Sequence, residues 1–162
     1  MKKFIVVLSI VVMLAVSISI AVLAGQSNVN RSVALSSDSL EVLTSNTNFM
    51  SHDFEVKEMN ESVNIDRTNA IEKANASTAN RYSQATKITA VLVKFTDREN
   101  PKIPELGISL TDYPVWIVTF YEVNMQKFYS TKNSNILADT NIIIDANTGK
   151  YIASFSYKSI IK

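Results

Sequence analysis

His52 is the only histidine of the chain, and cysteine is absent. Those two facts remove most of the chemistry available to a small protein. A lone imidazole lacks the orienting partner that a nucleophilic triad requires. With no thiolate and no second imidazole, zinc would need a supplement of carboxylates, and the usual His-containing spacings do not occur. His52 therefore reads as a solvated loop residue. Paired carboxylates remain as candidates for acid–base work, namely Asp97/Glu99 and Glu58/Glu61. Both pairs stand in polar, turn-like sequence where charged residues face solvent.

Asp145-Ala146-Asn147-Thr148-Gly149 opens like a calcium loop. Such a loop needs a further oxygen ligand at its fifth position and a glutamate at its twelfth, and this chain has Gly149 and Ser156 there. The stretch reads instead as a tight chain reversal. The three glycines, Gly25, Gly107 and Gly149, are isolated, and neither GxGxxG nor a P-loop spacing occurs, so no phosphate cradle can be assembled. No catalytic, cofactor-binding or metal-ligating residue is assigned. The expectation is a chain without a cofactor that is not an enzyme.

Charge narrows the choice of partner. The formal net charge is +1, but Lys2 and Lys3 precede an apolar run. Without them, 14 Lys and Arg stand against 15 Asp and Glu, a net charge of −1. A mixed, near-neutral surface lacks the basic stripe that phosphate-backbone binding needs, so nucleic acid is not expected as a partner. Abundant Asn, Ile, Ser and Lys suggest a bacterial source with an AT-rich genome.

The apolar run extends from Phe4 to Ala24, 21 residues interrupted only by Ser9, Ser17 and Ser19. Two lysines ahead of it match the leading regions of a signal peptide and hold that end in the cytoplasm. Val22-Leu23-Ala24 allows cleavage after Ala24. As a helix the run would span about 32 Å, which also suits an uncleaved anchor through residues 4–24. Leu23-Ala24-Gly25 resembles the start of a lipoprotein box, but Gln26 occupies the place of the lipidated cysteine. Either route puts the remainder outside the cytoplasm, secreted or anchored by its N-terminus. A disulfide-free exported domain must hold together by apolar burial alone.

The elements follow from patterning. Residues 25–48 are rich in Ser, Asn and Thr and read as a polar spacer, the alternative being a loose helix, with Ser39–Leu43 as its helix-like stretch, that folds back on the domain. Residues 49–162 form the domain. Phe54 to Lys57 alternates and permits a short edge strand. Asp66 can cap a helix, with Ile65 as a hydrophobic staple onto Ala70. Ala70, Ile71 and Ala74 make one narrow apolar stripe, with Glu72 and Lys73 facing water, and the helix should fray before Tyr82. Lys87–Thr96 has strand composition. Asp97–Tyr113, with Pro101, Pro104 and Gly107, reads as a long loop. Pro114–Val123 is apolar on both faces, as a central strand would be. Asn141–Asp145 and Lys150–Tyr157 form a closing hairpin around Gly149. One helix must cover one face of an antiparallel sheet of three to five strands, which predicts an α+β domain preceded by the apolar N-terminal helix. Aromatic residues crowd the last strands. Trp116 and Phe120 share one face as core, and a Tyr-lined groove or sheet edge that could accept a peptide strand is the alternative role for the others.

This order resembles the PepSY family of extracytoplasmic domains over about residues 63–157. Ile65-Asp66, Ala70-Ile71 and Ala74 resemble its opening helix, and Pro114-Val115-Trp116-Ile117-Val118 its central strand. Ile143-Ile144-Asp145-Ala146-Asn147-Thr148-Gly149-Lys150-Tyr151-Ile152 resembles its closing hairpin, the most specific part of the match. The chain departs from the family in its Asn/Ser/Thr insert after Ala74 and its broad connection between Val123 and Asn141. The resemblance implies a helix-on-sheet module of secreted and membrane-anchored bacterial proteins that inhibits or tunes peptidases at the cell surface, with no catalytic residues. The expected function is a noncatalytic binding or regulatory module for a peptidase or another envelope protein. The alternative is a structural or accessory envelope protein without peptidase involvement.

Overall fold

The computed structural model describes residues 37–125 and 136–159. The expected signal peptide or anchor at 1–24 and the spacer up to residue 36 lie outside the described residues. Among the described residues no helix is long and apolar enough to cross a membrane.

Two four-residue helical turns come first, α1 (Glu41–Thr44) and α2 (Thr47–Met50), then strand β1 (Phe54–Glu58) and helix α3 (Arg67–Ser77). Strand β2 (Lys87–Asp97) leads to a small hairpin, β3 (Lys102–Ile103) and β4 (Ile108–Ser109). Three long strands close the chain, β5 (Tyr113–Asn124), β6 (Leu137–Asp145) and β7 (Tyr151–Lys158). The main sheet has five strands in the order β1-β2-β5-β6-β7, and every pairing in it is antiparallel. The class is α+β, as expected, with β5 in the centre of the sheet.

Helix α3 covers one face. Asp66 Oδ1 accepts the Asn69 N–H at 2.8 Å, the capping role its sequence position implies. Ala70 and Ala74 are fully buried, and their small side chains let the helix settle on Leu92, Trp116, Val118, Ile142 and Ile144. Trp116 Nε1 donates to the Ile65 carbonyl at 2.7 Å, while Ile65 N–H donates to Ala146, so the helix entry is tied to both β5 and the β6–β7 turn. The helix ends at Ser77, where Ala79 and Asn80 take positive φ of 50° and 56° and end the helical hydrogen bonding.

The other face has its own apolar core of Val91, Val93, Phe95, Val115, Ile117 and Ile143. Its cover comes from two places read differently in the sequence. Leu43 and Phe49, at 2% and 0% exposure, plug this face from α1 and α2. The described part of the expected spacer, residues 37–48, is thus folded onto the domain as the alternative reading had it, because Leu40, Val42 and Leu43 supply apolar surface there. The expected loop 97–113 contains the β3–β4 hairpin, with Pro104 starting a 3-10 turn and Gly107 at φ +67° ending it, and it buries Leu110.

The sheet curls around that second face. Four inter-strand steps of about 4.8 Å would hold the edges of a flat sheet about 19 Å apart. The Phe54 ring on β1 and the Phe155 ring on β7 nevertheless lie 5.0 Å apart, centroid to centroid. Register shifts between Phe120 and Val123 and between Ile143 and Ile144 mark the bulges, which add twist and bend to a sheet. Glu122 takes φ +54° in the first bulge, and its N–H is held by Asp139 Oδ1 at 3.0 Å.

Candidate interaction edge

The two edges of the sheet are built differently. On one side β1 covers only part of β2, and its register ends at Glu58↔Val93. Beyond that point the chain around residue 38 takes over. Asp38 N–H donates to the Ala90 carbonyl at 3.0 Å, Ala90 N–H to Asp38 Oδ2 at 2.7 Å, and Leu92 N–H to Ser37 Oγ at 2.9 Å. The Arg67 guanidinium also binds Asp38 Oδ2, at 2.9 Å. A side chain and a backbone thus replace the missing strand. β1 itself is short and guarded by charge. Lys57 pairs with Glu55 and Asp112 at 3.0 and 2.9 Å, and Arg98 pairs with Glu55 at 2.8 Å. Short strands bearing charges are the usual means of protecting a sheet edge.

β7 is longer and plainer. Ser159 N–H donates to the Leu137 carbonyl, which sets the alternation of the antiparallel ladder. Asp139↔Tyr157, Asn141↔Phe155 and Ile143↔Ala153 are then the pairs whose backbone groups face β6. The N–H and C=O of Ser154 and Ser156 point away from the sheet, and among the described residues no backbone group meets them. Asn48 Nδ2 takes the Lys158 carbonyl at 3.2 Å and closes that end of the edge. Ser154, Ser156 and Lys158 are exposed. On the helix side, two recesses flank this stretch. One of about 230 Å³ lies between the end of α3 and β7, at Ser77, Thr78, Tyr82, Tyr151 and Ser154. The other, of about 360 Å³, is walled by Met125, Ile136, Ala138, Ser156 and Lys158.

The concave face carries a buried polar row at one end. Thr89, Thr119 and Asn141 are directly opposite across β2, β5 and β6, so their side chains share a face. Tyr121, Asp139 and Tyr157 follow along the same face. Thr119 Oγ1 donates to Asn141 Oδ1 at 2.8 Å, and Asn46 Nδ2 donates to the Tyr157 hydroxyl at 3.0 Å. Asn141 Nδ2 is buried beside the Tyr157 hydroxyl. Burial pushes the Tyr121 phenol up, and that of Tyr157 up to about 12. Both are neutral hydroxyls near pH 7, not bases, and accept from Thr89 Oγ1 and Asn46 Nδ2 respectively. Asp139 is occupied by the Glu122 N–H and by Ser159 Oγ at 2.7 Å. The row has the character of a hydrogen-bonding layer.

The residues singled out in the sequence are dispersed. His52 is exposed in the bend before β1, as expected of a solvated loop residue, and its ring stacks on Phe54 and meets Phe155 edge-on, each at 5.1 Å. Asp97 Oδ1 accepts the N–H groups of Glu99 and Asn100 and forms a turn, while Glu61 pairs with Lys94 at 2.6 Å. Asp145 Oδ1 accepts the N–H groups of Asn147 and Thr148 at 2.8 and 3.0 Å, and Oδ2 accepts the Tyr113 hydroxyl at 3.0 Å. That carboxylate braces the hairpin. Among the described residues no group of three His, Asp or Glu converges as a metal site would require. Trp116 and Phe120 are core, and Tyr151, at 43% exposure, is the tyrosine at the open edge. The strap through Ser37 and Asp38 had no signal in the sequence beyond two residue types that readily bond to backbone.

Comparison with known proteins finds no matching family model, no matching curated protein and no matching solved structure.

Proposed function

We propose that this chain is a noncatalytic binding module of the outer side of a bacterial envelope, delivered there by residues 1–24, and that it takes an extended segment of a protein partner onto the edge of β7. The observation that carries this reading is the contrast between the edges. β1 is short and salt-bridged and its shortfall on β2 is filled by Ser37 and Asp38, whereas β7 presents backbone at Ser154 and Ser156 that no backbone group among the described residues meets. Strand addition uses such backbone groups for affinity and flanking recesses for selectivity. The noncatalytic part of the reading is supported by the dispersal of the carboxylates and by the neutral phenols of the polar row. The resemblance to PepSY domains makes a cell-surface peptidase the first partner to examine, and regulation by stoichiometric capture the mechanism.

The test is a photo-crosslinking residue placed at Ser156 in the full chain, in intact cells, with a control at Glu55 on β1. A protein adduct from position 156 alone, together with a peptidase whose activity falls at equimolar chain, is the expected result. Adducts only to lipid or wall, with peptidase activity untouched, would leave the accessory envelope role instead.

A further inference from the structure

We infer that the segment received by β7 is acidic, with an apolar side chain opposite Ser156 and a hydroxyl or amide side chain opposite Ser154. This rests on the strand-addition reading and adds to it the chemistry of the partner. Cross-strand neighbours in an antiparallel or parallel ladder project to the same face, and alternate residues repeat about every 6.8 Å. Thr140 faces the helix side and meets Ser156 Oγ at 2.9 Å, so Ser154 and Ser156 both face that side. Side chains added opposite them enter the two recesses. The recess at Ser156 is walled by Met125, Ile136 and Ala138, and Ile136 remains 37% exposed, as an apolar wall awaiting cover. The recess at Ser154 is polar, lined by Ser77, Thr78, Arg81, Tyr82 and Tyr151, and Tyr151 already shares a hydrogen bond with Ser154 Oγ at 2.9 Å.

Charge fixes the flanks. Lys150 stands just before β7 and Lys158 at its end, and neither ammonium makes an ion pair among the described residues. No carboxylate lines either recess. The cations of the β1 side, Lys57 and Arg98, are by contrast each shared between two carboxylates. The open edge therefore lies between two positive charges without an ion pair among the described residues, and an extended segment with acidic residues at both ends answers them. Such complementarity governs which partner is accepted more than how tightly it is held.

The probe is a fluorescent heptapeptide with Glu, Leu, Asn and Glu at alternate positions and Thr between them, used together with its reversed sequence because the partner sets strand direction. A third peptide carries Lys in place of Glu. Anisotropy with the full chain should favour the acidic peptide about tenfold at low salt, the gap narrowing above about 0.15 M. The double variant Lys150→Glu/Lys158→Glu should reverse the preference. Ser156→Pro removes an N–H that faces away from β6 and should abolish binding of both peptides. N-methylation of the peptide amides that face β7 should do the same with the protein unaltered. Equal binding of acidic and basic peptides, lost in both blocked forms, would overturn the acidic assignment while leaving strand addition standing. Binding that survives both blocks, or no binding at millimolar peptide, would overturn strand addition as well.

Discussion

Phe49→Ala tests whether the turn at residues 46–50 is part of the domain or a tether beside it. The Phe49 ring is fully buried, and it lies 6.1 Å from Phe54 and 5.7 Å from Phe155, centroid to centroid. Truncating a buried phenylalanine costs about 3–5 kcal/mol, the lost transfer energy plus the cavity. With a urea slope of about 2 kcal/mol/M, the midpoint should fall by about 2 M. Trp116 is the only tryptophan and sits in the core on the opposite face of the sheet, so its fluorescence follows unfolding from a site the substitution does not touch. A single transition displaced by that amount means that both faces unfold together. Phe49→Leu should restore more than half of the loss. A midpoint displaced by less than about 0.3 M would refute the argument, because the concave face would then be stable without its plug.

Two glycines give a matched pair. Gly149→Ala at φ +70° places a Cβ 2.8 Å from Lys73 Cδ and Cε, whereas Gly107→Ala at φ +67° meets open space. Both should lose about 1–2 kcal/mol to the left-handed backbone, and the excess loss at Gly149, read in the same urea assay, measures the Lys73 stem. Burial alone would raise the Asp145 carboxyl, but the Asn147 and Thr148 N–H groups and the Thr148 and Tyr113 hydroxyls outweigh it and hold the group below the usual carboxylate range. Its contribution is therefore present above the unfolded pKa of about 3.9 and is lost as pH falls through the lower folded value. Asp145→Asn should flatten the stability profile below about pH 4, and an unchanged acid limb would contradict the bracing role. Tyr157, pushed up to about 12 by burial, works in the other sense. Its unfolded phenol ionises first, so stability should decline from about pH 10 upward. Tyr157→Phe should remove a phenolate that otherwise appears near pH 12 in an ultraviolet titration.

Long apolar strands were legible because their physics is local. β5 reads as central from Pro114 to Val123 and is central, and the Asp66 cap, the helix end before Tyr82 and the Gly149 hairpin all follow from short-range rules. β6 begins at Leu137, earlier than its apolar run, because Asp139, Thr140 and Asn141 are buried polar residues satisfied largely by tertiary partners. Leu43 sits in a polar tract whose helix-like stretch is too short to show a period, and only the curl of the sheet gives it a place to go. His52 reads as solvated and is exposed, although its ring contacts with Phe54 and Phe155 arise only through that curl. The candidate edge was legible as a possibility through its aromatics. Which edge is open depends on the Ser37–Asp38 strap, whose bonds to Ala90 and Leu92 span more of the chain than any local rule reaches.

The contact between Phe54 and Phe155 also sets an order of events for the chain. Rings from the first and last strands of the sheet complete the same core, so the concave face cannot close until β7 has been synthesised. Pairings of such long sequence separation carry the loop-closure entropy that makes β-rich domains fold in milliseconds to seconds. During that interval the edge of β6 and the apolar residues beneath it stand open, which is the condition under which chains associate with one another. The strand proposed to take a partner on its outer edge is thus also the strand whose arrival ends the period of greatest exposure.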